Sequence, residues 1–148
     1  MKIGVALSGI RTLFLDSAPI IYYVENVAPY RRVMDDIVAR VTSGSHAFVT
    51  SSITLAECLI HPLRRGDAAL AASFRHAITG GVNTRYVGVD LVVEQAAALR
   101  ARFNLSLTDA LQVAAAIAAN SDAFLTNDRG IVRVQGVRVL VLDELEPD

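Results

Sequence analysis

Brief, mostly apolar runs alternate along the chain with longer segments of helical periodicity. Residues 12–15, 47–50, 85–89, 123–125 and 137–142 are such runs, and apolar runs without alternation read as strands covered on both faces. Between them, Ser17, Ala18 and Pro19 open a helix through about Glu25, because Pro suits a first turn. A second helix spans 30–42 and stops before Gly44. Ser51 or Ser52 caps a third, carrying ITLAECLI, which Pro62 ends or kinks. Asp67 starts a fourth that the Gly80-Gly81 pair closes, and Asp90 caps a fifth through about Phe103. The sixth covers 105–120. Gly4 and Gly9 leave residues 1–10 as either a helical turn or an irregular lead-in. Strands alternating with helices predict a three-layer α/β/α sandwich with a mostly parallel central sheet. One domain over 1–148 is expected, with 1–11 as its lead-in.

The sixth helix, LSLTDALQVAAAIAAN, carries a single charge, Asp109. Leu107, Ala110, Leu111, Ala114 and Ala118 form one stripe; Asp109 projects from the other side beside Val113 and Ala116, so neither face reads as solvated. A carboxylate in apolar surroundings neutralises or finds a cation. Glu57 repeats the pattern: it is the one charge in residues 51–60, and with Ile53 and Ile60 it marks a stripe expected to be buried. Capping boxes at Thr54-Leu-Ala-Glu57 and Ser106-Leu-Thr-Asp109 would satisfy both acids locally. They leave unexplained why two otherwise uncharged helices each hold one acid. Asp16 ends the first strand and Asp128 follows the fourth, at the strand ends where open parallel sheets bind ligands. An N-cap and an ordinary turn are the local alternatives for these two.

Composition narrows the possibilities. Hydrophobic residues make up 53% and charged residues 20%, which excludes disorder by composition. The net charge of −1 makes no global claim on nucleic acid. Thirteen of the fourteen basic residues are Arg; Arg64, Arg65, Arg75 and Arg85 could line an RNA path, although a solvated rim is the simpler role. Tyr22 and Tyr23 could stack a base, or merely pack. The single Cys58 reads as a small buried hydrophobe. No apolar run is long enough to span a bilayer, and a cytoplasmic protein with no membrane partner is expected.

Convergence of Asp16, Glu57, Asp109 and Asp128 at one end of the sheet would require a cation among them. His46, His61 and His76 have no spacing suited to a shared metal, so the donors are oxygen and select Mg²⁺ or Mn²⁺. Such an ion can generate a nucleophile from water and neutralise charge on a phosphoryl oxygen, the chemistry of phosphodiester hydrolysis. Asp90, Glu94 and Asp122 are assigned to a cap, a helix face and a loop.

The segments FLDSAPIIYYVE, SSITLAE, LSLTDALQVAAAIA and AFLTNDRG, in this order and spacing, resemble the PIN domain and, within it, the VapC-type toxin ribonucleases. The resemblance runs from Leu13 to about Leu142. It implies that Asp16, Glu57, Asp109 and Asp128 are the catalytic and metal-site acids, Asp16 and Asp109 foremost. Ser17, Thr126 and Asn127 would support ligands or water. It further implies an endoribonuclease leaving 3′-hydroxyl and 5′-phosphate ends, a homodimer, and an antitoxin partner whose tail enters the acidic groove, often with an Arg. The loop 61–66 matches no motif of the family. A weak or inactive scaffold that binds protein or RNA is the alternative. A receiver-type phosphotransfer domain would need a Lys near the last strands, and the only Lys is Lys2.

Overall fold

The computed structural model describes residues 1–148. Its centre is a five-stranded sheet made of β1 (Thr12–Leu15), β2 (Ala47–Ser51), β3 (Thr84–Val87), β4 (Ala123–Thr126) and β5 (Arg138–Val141), in the order β3-β2-β1-β4-β5. Every pairing is parallel, so all five carboxyl ends lie on one side. The chain leaves β1 toward β2 in one direction and enters β4 in the other, which makes the β1/β4 boundary the switch point where such sheets open a crevice.

Strand residues alternate between two cores. Leu13, Leu15, Phe48, Ala123, Leu125 and Leu140 face one layer, against α1 (Ile3–Ala6), α2 (Ser17–Val24), α3 (Tyr30–Thr42) and α5 (Ala68–Thr79). Phe14, Val49 and Phe124 face the other, against α6 (Val93–Phe103) and α7 (Leu107–Ala118). Phe14 and Phe124 stack on neighbouring strands with centroids 5.2 Å apart. The helix α4 (Ser52–Arg64) follows the carboxyl end of β2 and packs on both α5 and α7. No helix is long and apolar enough to cross a membrane.

Several boundaries differ from the sequence expectation. β3 stops at Val87 rather than Val89 because its partner β2 ends at Ser51, opposite Val87. β5 stops at Val141, opposite Thr126, and Leu142–Glu144 then form a 3-10 turn. Asp90 caps no α-helix: it opens a 3-10 turn, Asp90–Val92, that tucks Val92 into the core, and α6 begins after Val92 without a side-chain cap. Pro62 does not end α4 at once: the helix continues to Arg64 with the ring buried in its last turn, where the missing N–H forgoes one i→i−4 hydrogen bond. On α4 the buried stripe is Thr54, Cys58 and Pro62, one to two positions past the expected Ile53, Glu57 and Ile60, and Ile60 is exposed. On α7 the core contacts begin at Ala110, while Leu107 and Ala118, the two ends of the expected stripe, are exposed.

The lead-in is a helical turn. Ile3 and Ala6 of α1 are fully buried, Leu7 and Ile10 nearly so, and the carboxyl-terminal segment clamps them through a bridge between Lys2 and Glu146. Asp122 accepts the backbone N–H groups of Arg11 and Thr12 at 2.8 and 2.9 Å, closing the amino end of the sheet, away from the other acids. Ile3→Ala should therefore destabilise the protein by about 2–4 kcal/mol in urea denaturation; a change near zero would show that the lead-in is not part of the cooperative fold.

Candidate active site

Each of the four acids is delivered by a different element at the carboxyl side of the sheet. Asp16 directly follows β1, and its Oδ1 accepts the Ser17 N–H at 2.8 Å. A conventional N-cap accepts from one or two residues further on, so Asp16 is only a weak cap. Its Oδ2 accepts the Thr126 hydroxyl at 2.7 Å, and that hydroxyl oxygen accepts the Asp128 N–H at 3.0 Å. Thr126, at the end of β4, thus spans the switch point and joins the two acids flanking it.

Glu57 lies in the second turn of α4. Ser51 is the cap there, accepting the N–H groups of Ile53 and Thr54 at 3.1 and 3.3 Å. The Thr54–Glu57 capping box is not formed; the Ser17 hydroxyl instead donates to Glu57 Oε1 at 2.7 Å. Ser106 caps α7 by accepting the Asp109 N–H at 3.1 Å, half of the expected box. Asp128 accepts the Gly130 N–H at 2.8 Å and so also serves its turn.

The acids form a gradient from floor to rim. Asp16 is 8% exposed, Glu57 and Asp109 are half-buried, and Asp128 is open to solvent. Burial pushes the Asp16 carboxyl up from 3.8 to about 6; the Thr126 hydroxyl and Ser17 N–H pull against this, and the charges of Glu57 and Asp109 add to it. Asp109 is likewise raised, first by burial, with Ser106 opposing and the Asp128 charge adding. No ion pair involves any of the four. The acids therefore sense one another's charge and have no protein cation to offset it.

The oxygen-only donor set and its uncompensated charge fit a hard divalent cation. The side chains are arranged as hydrogen-bonded pairs, and no three His, Cys, Asp or Glu groups are gathered closely enough to hold one ion. The largest cavity, about 480 Å³, lies elsewhere, among Lys2, Tyr30, Asp143 and Asp148.

Of the supporting residues, Ser17 and Thr126 touch acids. Asn127 makes its hydrogen bonds elsewhere: its Oδ1 accepts the Asp143 N–H at 2.9 Å, bracing the chain after β5. Tyr22 stacks on Tyr30 at 4.3 Å, and Tyr23 lies under the Arg31 guanidinium at 4.4 Å. Arg85 donates to the Ala119 carbonyl, past the opposite end of α7 from Asp109, and Arg65 pairs with Glu25. The sequence reading passed over Gln112, which is fully buried on α7 between the two helices that carry Glu57 and Asp109. An amide within an otherwise apolar helix was the available signal.

An open parallel α/β sandwich with several acids on the carboxyl side of its sheet is the class these features define. The PIN domain model matches residues 13–137, and the chain belongs to that family. No curated protein matches it. Among solved structures, it is similar to VapBC2 from Rickettsia felis bound to a DNA fragment from their promoter, with a TM-score of 0.69 and 15% identity over 88% of this chain and 98% of that one. A toxin-antitoxin complex from Klebsiella pneumoniae has a TM-score of 0.66 and 17% identity, over 88% and 97%. VapC20 of Mycobacterium tuberculosis, a sarcin-ricin loop cleaving toxin, has a TM-score of 0.63 and 18% identity, over 85% and 98%.

The raised Asp16 pKa fixes the sign of a stability effect. A carboxyl that titrates higher in the folded than in the unfolded state stabilises the fold below pH 3.8, and that contribution is lost as the pH rises through about 6. The shift corresponds to about 3 kcal/mol. In the metal-free protein, Asp16→Asn should be more stable than wild type at pH 7.5 by up to that amount and should lose the advantage at pH 4. Urea denaturation at both pH values tests this, and an equal difference at each would remove ionisation of Asp16 as the cause.

Proposed function

We propose that this PIN-domain chain is a Mg²⁺- or Mn²⁺-dependent endoribonuclease acting as the toxin of a type II toxin-antitoxin pair. The observation that carries the reading is the set of four acids on the carboxyl side of the sheet around the β1/β4 switch point, with Asp16 buried and raised to about 6 and no Arg or Lys paired with any of them. In this reading Asp16 and Asp109 are the principal metal ligands, and Glu57 and Asp128 complete the site. Thr126 and the Ser17 N–H hold Asp16 in one orientation, and the Ser17 hydroxyl holds Glu57. A hard divalent ion held there would supply a water-derived nucleophile at neutral pH and offset charge on the phosphoryl oxygen. Near neutral pH an Asp16 that titrates at about 6 is mostly ionised, so it is ready to accept a cation. Asn127 supports the site only indirectly, by bracing the segment after β5.

The named relatives support the biological part of the reading. Two are complexes with an antitoxin or with promoter DNA, and one cleaves the sarcin-ricin loop. By analogy, the substrate is a structured RNA, the partner is a small antitoxin whose tail fills the acidic groove, the unit is a homodimer, and the compartment is the cytoplasm. A second reading, a catalytically weak scaffold that binds protein or RNA, is favoured by one observation: no three acids are drawn closely enough together to hold one ion.

Induced expression followed by mapping of RNA 5′ ends, together with cleavage assays using Mg²⁺ or Mn²⁺, separates the two readings. The nuclease reading expects divalent-dependent cuts bearing 5′-phosphates. Asp109→Asn should lower cleavage by more than about a hundredfold, since even outer-shell changes cost 10- to 100-fold, while leaving the fold intact or more stable. Undiminished cleavage by that variant would refute the assignment; absence of Mn²⁺ uptake with retained antitoxin binding would establish the scaffold instead.

A further inference from the structure

Beneath the acids runs a buried polar relay. Ser51, Thr54 and Gln112 are each fully buried. The Ser51 hydroxyl donates to Gln112 Oε1, Gln112 Nε2 donates to Thr54 Oγ1 at 2.7 Å, and the Thr54 hydroxyl donates to the Leu15 carbonyl at 3.2 Å. Ser51 Oγ is meanwhile occupied as acceptor by the first N–H groups of α4. The direction of every bond is therefore set, and α4, α7 and the end of β1 are tied in a single pattern.

Each anchor of the relay stands next to an acid. Leu15 immediately precedes Asp16, Thr54 lies three residues before Glu57, and Gln112 lies three residues after Asp109, which is one helical turn in both cases. The acids repel one another, so their own interactions push these elements apart. An apolar side chain of similar volume at 112 would fill the same space, at the cost of leaving the buried Ser51 hydroxyl without its acceptor and Thr54 Oγ1 without a donor. What it could not supply is a direction and a fixed distance between α4 and α7.

We infer that Gln112, acting through Ser51 and Thr54, is a positioning residue that holds the elements bearing Asp16, Glu57 and Asp109 in register against their mutual repulsion. The inference rests on the metallonuclease reading for its consequence and on the relay alone for its geometry. It deepens that reading by adding residues that touch neither metal nor RNA.

The test uses the full chain with Thr54→Val, which removes the hydroxyl at constant shape, Thr54→Ser, which keeps it, and Gln112→Met. Phe74→Leu, in the opposite core, serves as a control for lost stability. Calorimetry with MnCl₂ alone should show affinity lower by about tenfold or more in Thr54→Val and Gln112→Met, with Thr54→Ser within about twofold of wild type, as outer-shell substitutions behave. Cleavage should fall in kcat more than in KM for the same two variants, and Phe74→Leu should change neither. Wild-type Mn²⁺ affinity in Thr54→Val and Gln112→Met overturns the inference; should Gln112→Met fail to fold, the Thr54 pair decides. If wild type takes up no Mn²⁺ and cuts no RNA, the nuclease reading falls, and crystal structures then decide the geometry. A Glu57–Asp109 separation altered by more than about 1 Å, the scale that matters for catalytic alignment, in Thr54→Val but not in Thr54→Ser upholds positioning. An unaltered separation in both overturns it.

Discussion

A carboxylate buried near other carboxylates, with no basic side chain paired to any of them, is the constraint around which this protein is built. Asp16 sits where the parallel sheet parts, nearly out of solvent, and the two hydrogen bonds it accepts only partly offset the burial. An acid in that position costs stability at neutral pH. Arg is plentiful in this chain, yet its ion pairs are made with other acids, at α3, at the carboxyl terminus and past the end of α4, and even Arg129, next to Asp128, pairs with Glu144.

The surrounding structure is arranged to hold that unfavourable group in place. Apolar packing on both faces fixes the strands, with the Phe14 and Phe124 rings stacked on one side and Leu13, Leu15 and Leu125 sunk into the other. Thr126 ties the end of β4 to Asp16, Ser17 ties the start of α2 to Glu57, and Gln112 ties α7 to α4. These hydroxyl and amide groups are uncharged, so they fix the acids without neutralising them. The exposure of the acids is graded from a buried floor at Asp16 to an open rim at Asp128.

Much of this was legible before any coordinates. The lone charges Asp109 and Glu57 stood out because their helices are otherwise uncharged, and Asp16 stood out because it closes an apolar run; all three lie on the carboxyl side of the sheet. The local alternatives were also partly real: Ser106 does cap α7 over Asp109, and Asp128 does serve a turn. A residue can satisfy its own backbone and still contribute charge to a site, so cap chemistry and site chemistry were never exclusive. Glu57 was placed on the wrong stripe by one position, since periodicity gives a face to within about a residue, whereas packing against both α5 and α7 decides which residues are buried.

The sequence by itself determined the alternation of buried strands with helices, hence a parallel sheet covered on both sides, because apolar runs without a polar face leave no solvated alternative. It also determined which acids lack a local cation, because charge is a property of residue type. Only the tertiary structure decided that strand order places β1 beside β4, that Thr126 reaches across to Asp16 while Asn127 turns to Asp143, and that a single amide at 112 finds two hydroxyls contributed by residues some 60 positions earlier. Those are contacts between segments remote in the chain, and no local propensity or period encodes which remote group a buried donor will meet.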